Sequence, residues 1–135
     1  MTTKTTATGT FATTSWDEGP WAEDEGGRKL THAKVTSAYQ GDIEGEGTSQ
    51  SIMWYADEGR ATYAGFERVV GRLGGRAGSF VLEGRGTYAN GVATTEWTVV
   101  PGSGTGELAG LRGTGGYAAG HGESAVAYRL DYSFD

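Results

Sequence analysis

The chain has 135 residues, with 36% hydrophobic residues and an aromatic complement of 4 Trp, 7 Tyr and 4 Phe, which is enough to build the core of a single domain spanning residues 1–135. A net charge of −6 excludes an electrostatic grip on nucleic acid or on anionic membranes, both of which need clustered Lys and Arg. The absence of cysteine excludes disulfides, thiolate metal sites and cysteine nucleophiles, and fits a reducing compartment.

The start of the chain, Met1–Thr8, has no apolar leader segment, and no apolar run approaches the length of a helical membrane span. A soluble, cytoplasmic protein is expected. The 25 glycines punctuate short alternating runs rich in Thr, Val, Tyr and Trp, a pattern that builds strands and tight turns.

Eight strands are predicted. The first covers about Thr5–Trp16 and is followed by a polar loop, Asp17–Arg28. The second covers Lys29–Tyr39, and the third Asp42–Tyr55, with a bend or bulge expected at Gly45 and Gly47. After the turn Ala56–Arg60 come the fourth, Ala61–Gly71, and the fifth, Ala77–Tyr88, joined through Gly74-Gly75. Asn90-Gly91 is the strongest hairpin signal and leads into the sixth strand, Val92–Val100. The seventh falls within Gly106–Ala118 and the eighth at Ala125–Phe134. The best helix candidate, Glu107–Arg112, is broken by Gly110.

Short connections between successive strands imply an antiparallel meander. Eight such strands remove their edges by closing into a barrel, so the predicted fold is all-β, a closed antiparallel eight-stranded barrel. Alternation sorts the faces. Tyr63, Gly65, Glu67 and Val69 share one face of the fourth strand, opposite Thr62, Ala64, Phe66, Arg68 and Val70. Apolar residues on both faces suggest cover outside as well as packing inside, and hence a homo-oligomer.

Five blocks, in order along the chain, carry a family resemblance: Gly41–Gly47, Gly65–Gly71, Gly78–Leu82, Val100-Pro-Gly-Ser-Gly-Thr-Gly-Glu-Leu108 and Tyr128–Phe134. The sequence resembles the bacterial DUF3224 family over essentially its whole length. The resemblance implies a barrel of the allene-oxide-cyclase-like type, related in shape to calycins. It implies no established activity and no catalytic residue.

The motifs that carry chemistry are sparse. His32 and His121 are the only histidines, and no metal-binding spacing joins them. Asp42, Glu44 and Glu46 share a strand face, which reads as a solvated face before it reads as a cation site. Gly104–Ala109 and Gly113–Ala118 fit a dinucleotide fingerprint in letters, but no helix follows to meet a pyrophosphate. Ser103 lies in a turn rather than a nucleophile elbow. No cofactor and no metal is expected.

Glu67 is the strongest candidate. If its face points inward, a carboxylate lies in an apolar, aromatic cavity, where desolvation raises its pKa and poises it as a general acid or base. An interior salt bridge, or an outward position beside Arg68, is the alternative. Tyr63 and His32 are the candidates to orient polar groups beside Glu67, and Trp97 and Tyr128 are the candidate ligand-binding wall residues. Trp54, Tyr55, Tyr117 and Tyr132 are further aromatics that either line a pocket or plug the barrel. Three readings stay open at this point. The first is a barrel that binds an apolar or polyketide-like small molecule, as a cyclase or isomerase acting by substrate shaping. The second is a non-catalytic carrier or stress-related binding protein, and the third a filled barrel acting through its surface or oligomer interface.

Overall fold

The computed structural model describes residues 4–135. Eight strands form one antiparallel sheet in the order of the chain: β1 (Thr5–Glu23), β2 (Lys29–Gly41), β3 (Ile43–Asp57), β4 (Arg60–Leu73), β5 (Arg76–Ala89), β6 (Val92–Val99), β7 (Leu111–Gly120) and β8 (Val126–Phe134). β8 pairs back onto β1 from Thr5↔Tyr132 to Phe11↔Val126, so the sheet closes into a ring. The turns follow from residue chemistry. Asn90 and Gly91 both take positive φ, 53° and 76°, as a two-residue hairpin turn requires. Among the described residues, helical structure is limited to two short 3-10 turns, Glu25–Gly27 and Gly106–Leu108, and no helix is long and apolar enough to cross a membrane.

Three local expectations are corrected. The predicted loop Asp17–Arg28 is mostly strand, because β1 runs on to Glu23 against β2 through irregularities at Thr13/Ser15 and Pro20/Ala22. Pro20 is tolerated there because β8 stops opposite Phe11 and leaves this stretch an edge, where a missing N–H breaks no ladder bond. Gly45 and Gly47 make no bulge. Both keep regular register with β2 and β4, and the irregularity in β3 lies at Tyr55/Asp57. The seventh strand, Leu111–Gly120, runs two residues past the expected limit at Ala118, and before it Gly106–Leu108 turns back and drives Leu108, fully buried, into the core.

The interior is unevenly filled. At one end Ile43, Leu73, Phe80, Leu82, Leu111 and Leu130 are fully buried together with Leu108. The connection between β6 and β7 seals this end along β5: Ser103 Oγ accepts from the Val81 N–H at 3.0 Å, and Thr105 Oγ1 accepts from the Ser79 N–H at 3.0 Å. Ser103 also donates to the Val100 carbonyl at 2.7 Å, which accounts for its hydroxyl structurally. Next comes an aromatic layer of Phe11, Tyr39, Trp97, Tyr117 and Tyr128, with ring centroids 4.9–6.5 Å apart. Beyond it the inner face is lined by small residues, Ser49, Ser51, Gly65, Gly84 and Gly86 among them.

Candidate functional site

β4 sets the site. Its alternation places Ala61, Tyr63, Gly65, Glu67 and Val69 on the inner face and Thr62, Ala64, Phe66, Arg68 and Val70 outside. Glu67 therefore enters the ring where the aromatic layer gives way to small residues. Ser49 faces it from β3 and Leu82 from β5. Its Oε2 accepts a hydrogen bond from the Tyr39 hydroxyl at 2.9 Å. Among the described residues no Lys, Arg or His makes a salt bridge with it.

Gly47 makes this arrangement possible. A Cβ there would collide with the Glu67 carboxylate and crowd the Tyr39 ring. Gly86 does the same for the Tyr63 hydroxyl, which would meet an added Cβ at 2.7 Å. Glycine is used at both positions to seat a polar side chain of a neighbouring strand flat against the wall.

The result is a small cavity of about 70 Å³, lined by Ser49, Ser51, Tyr63, Glu67, Thr95, Trp97 and Tyr117, with Gly65 and Gly84 in its wall and Ala64, Phe66 and Arg85 of the outer face at its border. It has room for a few waters or one small group. It matches one end of a ligand rather than a whole polyketide-like chain. Tyr63 and Thr95 share a hydrogen bond of 2.7 Å between their hydroxyls.

The electrostatics follow from burial. Loss of water pushes the Glu67 carboxyl up to about 7, against the lowering effect of the Tyr39 hydrogen bond. Burial also raises Tyr39, with the Glu67 charge adding to the effect, and raises Tyr63, against the pull of Thr95. Tyr117 is pushed up to about 12, mainly by burial. The site holds one group that titrates near neutrality, surrounded by hydroxyls that stay protonated.

Of the residues read from the sequence, Glu67, Tyr63 and Trp97 come together here. Tyr128 is buried in the same interior but sits deeper. Its hydroxyl accepts from the Ile43 N–H at 2.9 Å and donates to the Gln40 carbonyl at 3.1 Å, which ties the turn between β2 and β3 to the wall. His32 does not join them. It projects from the outer face of β2 and meets Gln50 at 3.1 Å, because Thr31, Ala33, Val35, Ser37 and Tyr39 hold the inner face of that strand. Trp54 likewise lies outside, 44% exposed. Asp42, Glu44 and Glu46 are solvent-facing, and among the described residues no group of three or more His, Asp or Glu is placed to hold a metal.

Tyr39, missed by the sequence reading, is the direct partner of Glu67. Its signal was the pair Gly45 and Gly47 on the next strand, which leaves an inner-face gap that a large side chain must fill.

The fold and site define an antiparallel ring of eight strands with a single carboxyl half-buried at its centre. The family model described as "Protein of unknown function (DUF3224)" matches residues 7–132, and the chain belongs to this family. The crystal structure of a DUF3224-family protein of unknown function from Shewanella oneidensis MR-1 is similar throughout, with 31% identity and a TM-score of 0.77 over 100% of this chain and 99% of that one. No curated protein matches the chain.

Proposed function

We propose that this protein is a small-molecule-binding barrel of the allene-oxide-cyclase-like, calycin-like kind, in which Glu67 gives or takes a proton at the polar end of a small, largely apolar ligand. The observation that carries this reading is the Glu67 carboxyl. It lines a cavity of about 70 Å³, is bonded to Tyr39, and titrates near 7. A purely structural carboxylate would be expected to hold a cationic partner or to face water. One poised near neutrality and in contact with free volume has the properties of a general acid or base. Trp97 and Tyr117 supply the apolar wall, and Tyr63 with Thr95 supplies hydroxyls for orientation.

The test is an NMR screen of small aromatic and aliphatic fragments. Saturable shifts at Thr95, Trp97 and Tyr117 are expected, and saturable shifts confined to the outer face, or none at all, sink the reading. Conversion that disappears in Glu67→Gln while affinity persists identifies an enzyme of the isomerase or cyclase type. Binding without conversion identifies a carrier.

A second reading is favoured by the outer surface. Ile52, Trp54, Phe66 and Val70 are 44–56% exposed on the contiguous outer faces of β3 and β4. A patch of that kind suits a second copy of the chain, and we infer a homo-oligomer assembled through it.

A further inference from the structure

We propose that the cavity at Glu67 receives the protonated amine of a small organic cation, whose apolar body extends toward the end of the ring away from Leu108. This rests on the reading of the interior as a ligand site and names the class of ligand.

The ionisable groups facing Glu67 are Tyr39 from β2, Tyr63 from its own strand and Tyr117 from β7, none of which carries positive charge. Arg85 also borders the cavity, but its side chain is 72% exposed and pairs with Glu83 at 3.5 Å, and it makes no salt bridge with Glu67. The carboxylate is thus half of an ion pair, with its other half missing from the protein. Burying a charge without a partner is costly, and an ammonium group removes that cost. A carboxylate or phosphate ligand would instead set a second negative charge against the Glu67 carboxylate.

The wall suits the same ligand. Trp97 and Tyr117, 5.4 Å apart, and Tyr63 line the same cavity. Aromatic rings around an ammonium add cation–π attraction, strongest where water is excluded. Size agrees, because about 70 Å³ fits a headgroup and little else.

The approach agrees. The hollow at the end of the ring away from Leu108 is lined by Asp17, Glu18, Glu23, Asp57 and Glu58, with Lys29 the one cation among its described lining residues. This hollow and the cavity are linked by one inner row of β3: Tyr55, Met53, Ser51, Ser49. Tyr55 and Ser51 are four residues apart, roughly 13 Å along a strand. Between them stands Met53, a flexible side chain suited to yielding as a gate. An acidic mouth on a protein of net charge −6 raises the local concentration of cations and repels anions.

The carboxyl's position near neutrality gives the proposal a second readout. Below pH 7 the empty site carries a proton, and an ammonium displaces it: Glu67–COOH plus R–NH₃⁺ gives the ion pair Glu67–COO⁻···⁺H₃N–R and one free proton.

The experiment compares n-butylammonium, n-butanol and n-butyrate, probes of matched length and different charge, by isothermal titration calorimetry. The amine is expected to bind at least ~10-fold more tightly than the alcohol at pH 8, with butyrate weakest. At pH 6, titrations in two buffers of different ionisation enthalpy should read the release of about one proton per amine bound. Glu67→Gln should abolish both the preference and the release. Butanol or butyrate binding as tightly as the amine, or amine binding with no proton released, overturns the amine proposal and leaves the ligand site standing. Failure of all three probes to bind overturns the ligand site as well.

Discussion

At the residue scale, the Glu67 carboxyl controls how stability responds to pH. Its carboxyl titrates near 7 in the fold against 4.5 for an ordinary glutamate, so between these values the folded protein keeps a proton that the unfolded chain has released. Stability therefore falls as pH rises from about 4.5 to 7 and levels off above, by up to ~3 kcal/mol. Thermal melts should show the melting temperature dropping across that window, and Glu67→Gln should flatten the drop. At pH 8 the variant should melt up to ~10 °C above the wild type. Equal pH profiles for the two proteins would show that Glu67 is not the titrating group. Tyr39→Phe tests the local cause. Removing the hydroxyl takes away the one hydrogen bond that lowers the carboxyl, so carbon-13 NMR of Glu67 should place its titration above 7. A downward shift would mean that Tyr39 acts on Glu67 through packing alone. The other carboxylate tied to tyrosine, Glu18, behaves oppositely. Burial works to raise it, but hydrogen bonds from Thr31, Tyr55 and Trp16 and the charge of Lys29 prevail and hold it below its usual value. Its contribution is present above the ordinary glutamate pKa and is lost only in acid, outside the window in which Glu67 titrates.

At the element scale, what could be read depended on how one-sided each strand is. β4 was legible as a pattern, since Tyr63, Gly65, Glu67 and Val69 share a face at period two, and that face is inside. The choice of β2 face was not legible. Leu30 and Ala38 flank His32 on one face, while Thr31, Ala33 and Tyr39 hold the other, and both faces look half apolar. Only closure of the ring, which seats Tyr39 against Phe11 at 5.3 Å and beneath Glu67, decides between them. The Asp17–Glu23 stretch reads as a loop because its acids, glycine and proline are turn-like. Pairing on one side only relaxes the demands on a strand, and such residues are then admitted. The stretch Pro101–Leu108 was visible as a signature but not as a device. Its glycines let the chain fold tightly enough to carry Leu108 into the core, with no space for a Cβ at Gly104 beside the Leu108 carbonyl. Leu108→Ala should therefore leave a cavity under the closed end and cost about 2–5 kcal/mol in urea unfolding. A loss below ~1 kcal/mol would mean that the end is not sealed by this residue.

For the whole molecule, the question is which surface a second copy would use, and two surfaces compete. The free edge of β1 beyond Phe11 offers unpaired backbone groups, but Asp17, Glu18, Pro20 and two irregularities of register lie along it. Those are the features by which edges resist pairing, and two copies aligned there would set their acids against each other. The outer face of β3 and β4 has no such defences. Gln50 pairs with Phe66, Ile52 with Ala64 and Trp54 with Thr62 across the two strands, so the exposed apolar groups form one surface rather than scattered points. Beside it Arg68 and Arg85 alternate with Glu46 and Glu83, a mixture of signs that a two-fold axis can match to itself. Phe66, 56% exposed, is the natural anchor of such an interface. Phe66→Glu should turn an associating protein into a monomer in sedimentation equilibrium. As Phe66 contributes little to the interior, the monomer's unfolding free energy should stay within about 0.5 kcal/mol. A wild type that sediments as a monomer at every concentration removes the oligomer reading, whereas association that survives Phe66→Glu moves the interface elsewhere on the ring. Phe66 also borders the Glu67 cavity, so the carbon-13 titration of Glu67 should be repeated in Phe66→Glu; an unchanged titration shows that assembly and the interior site are separate.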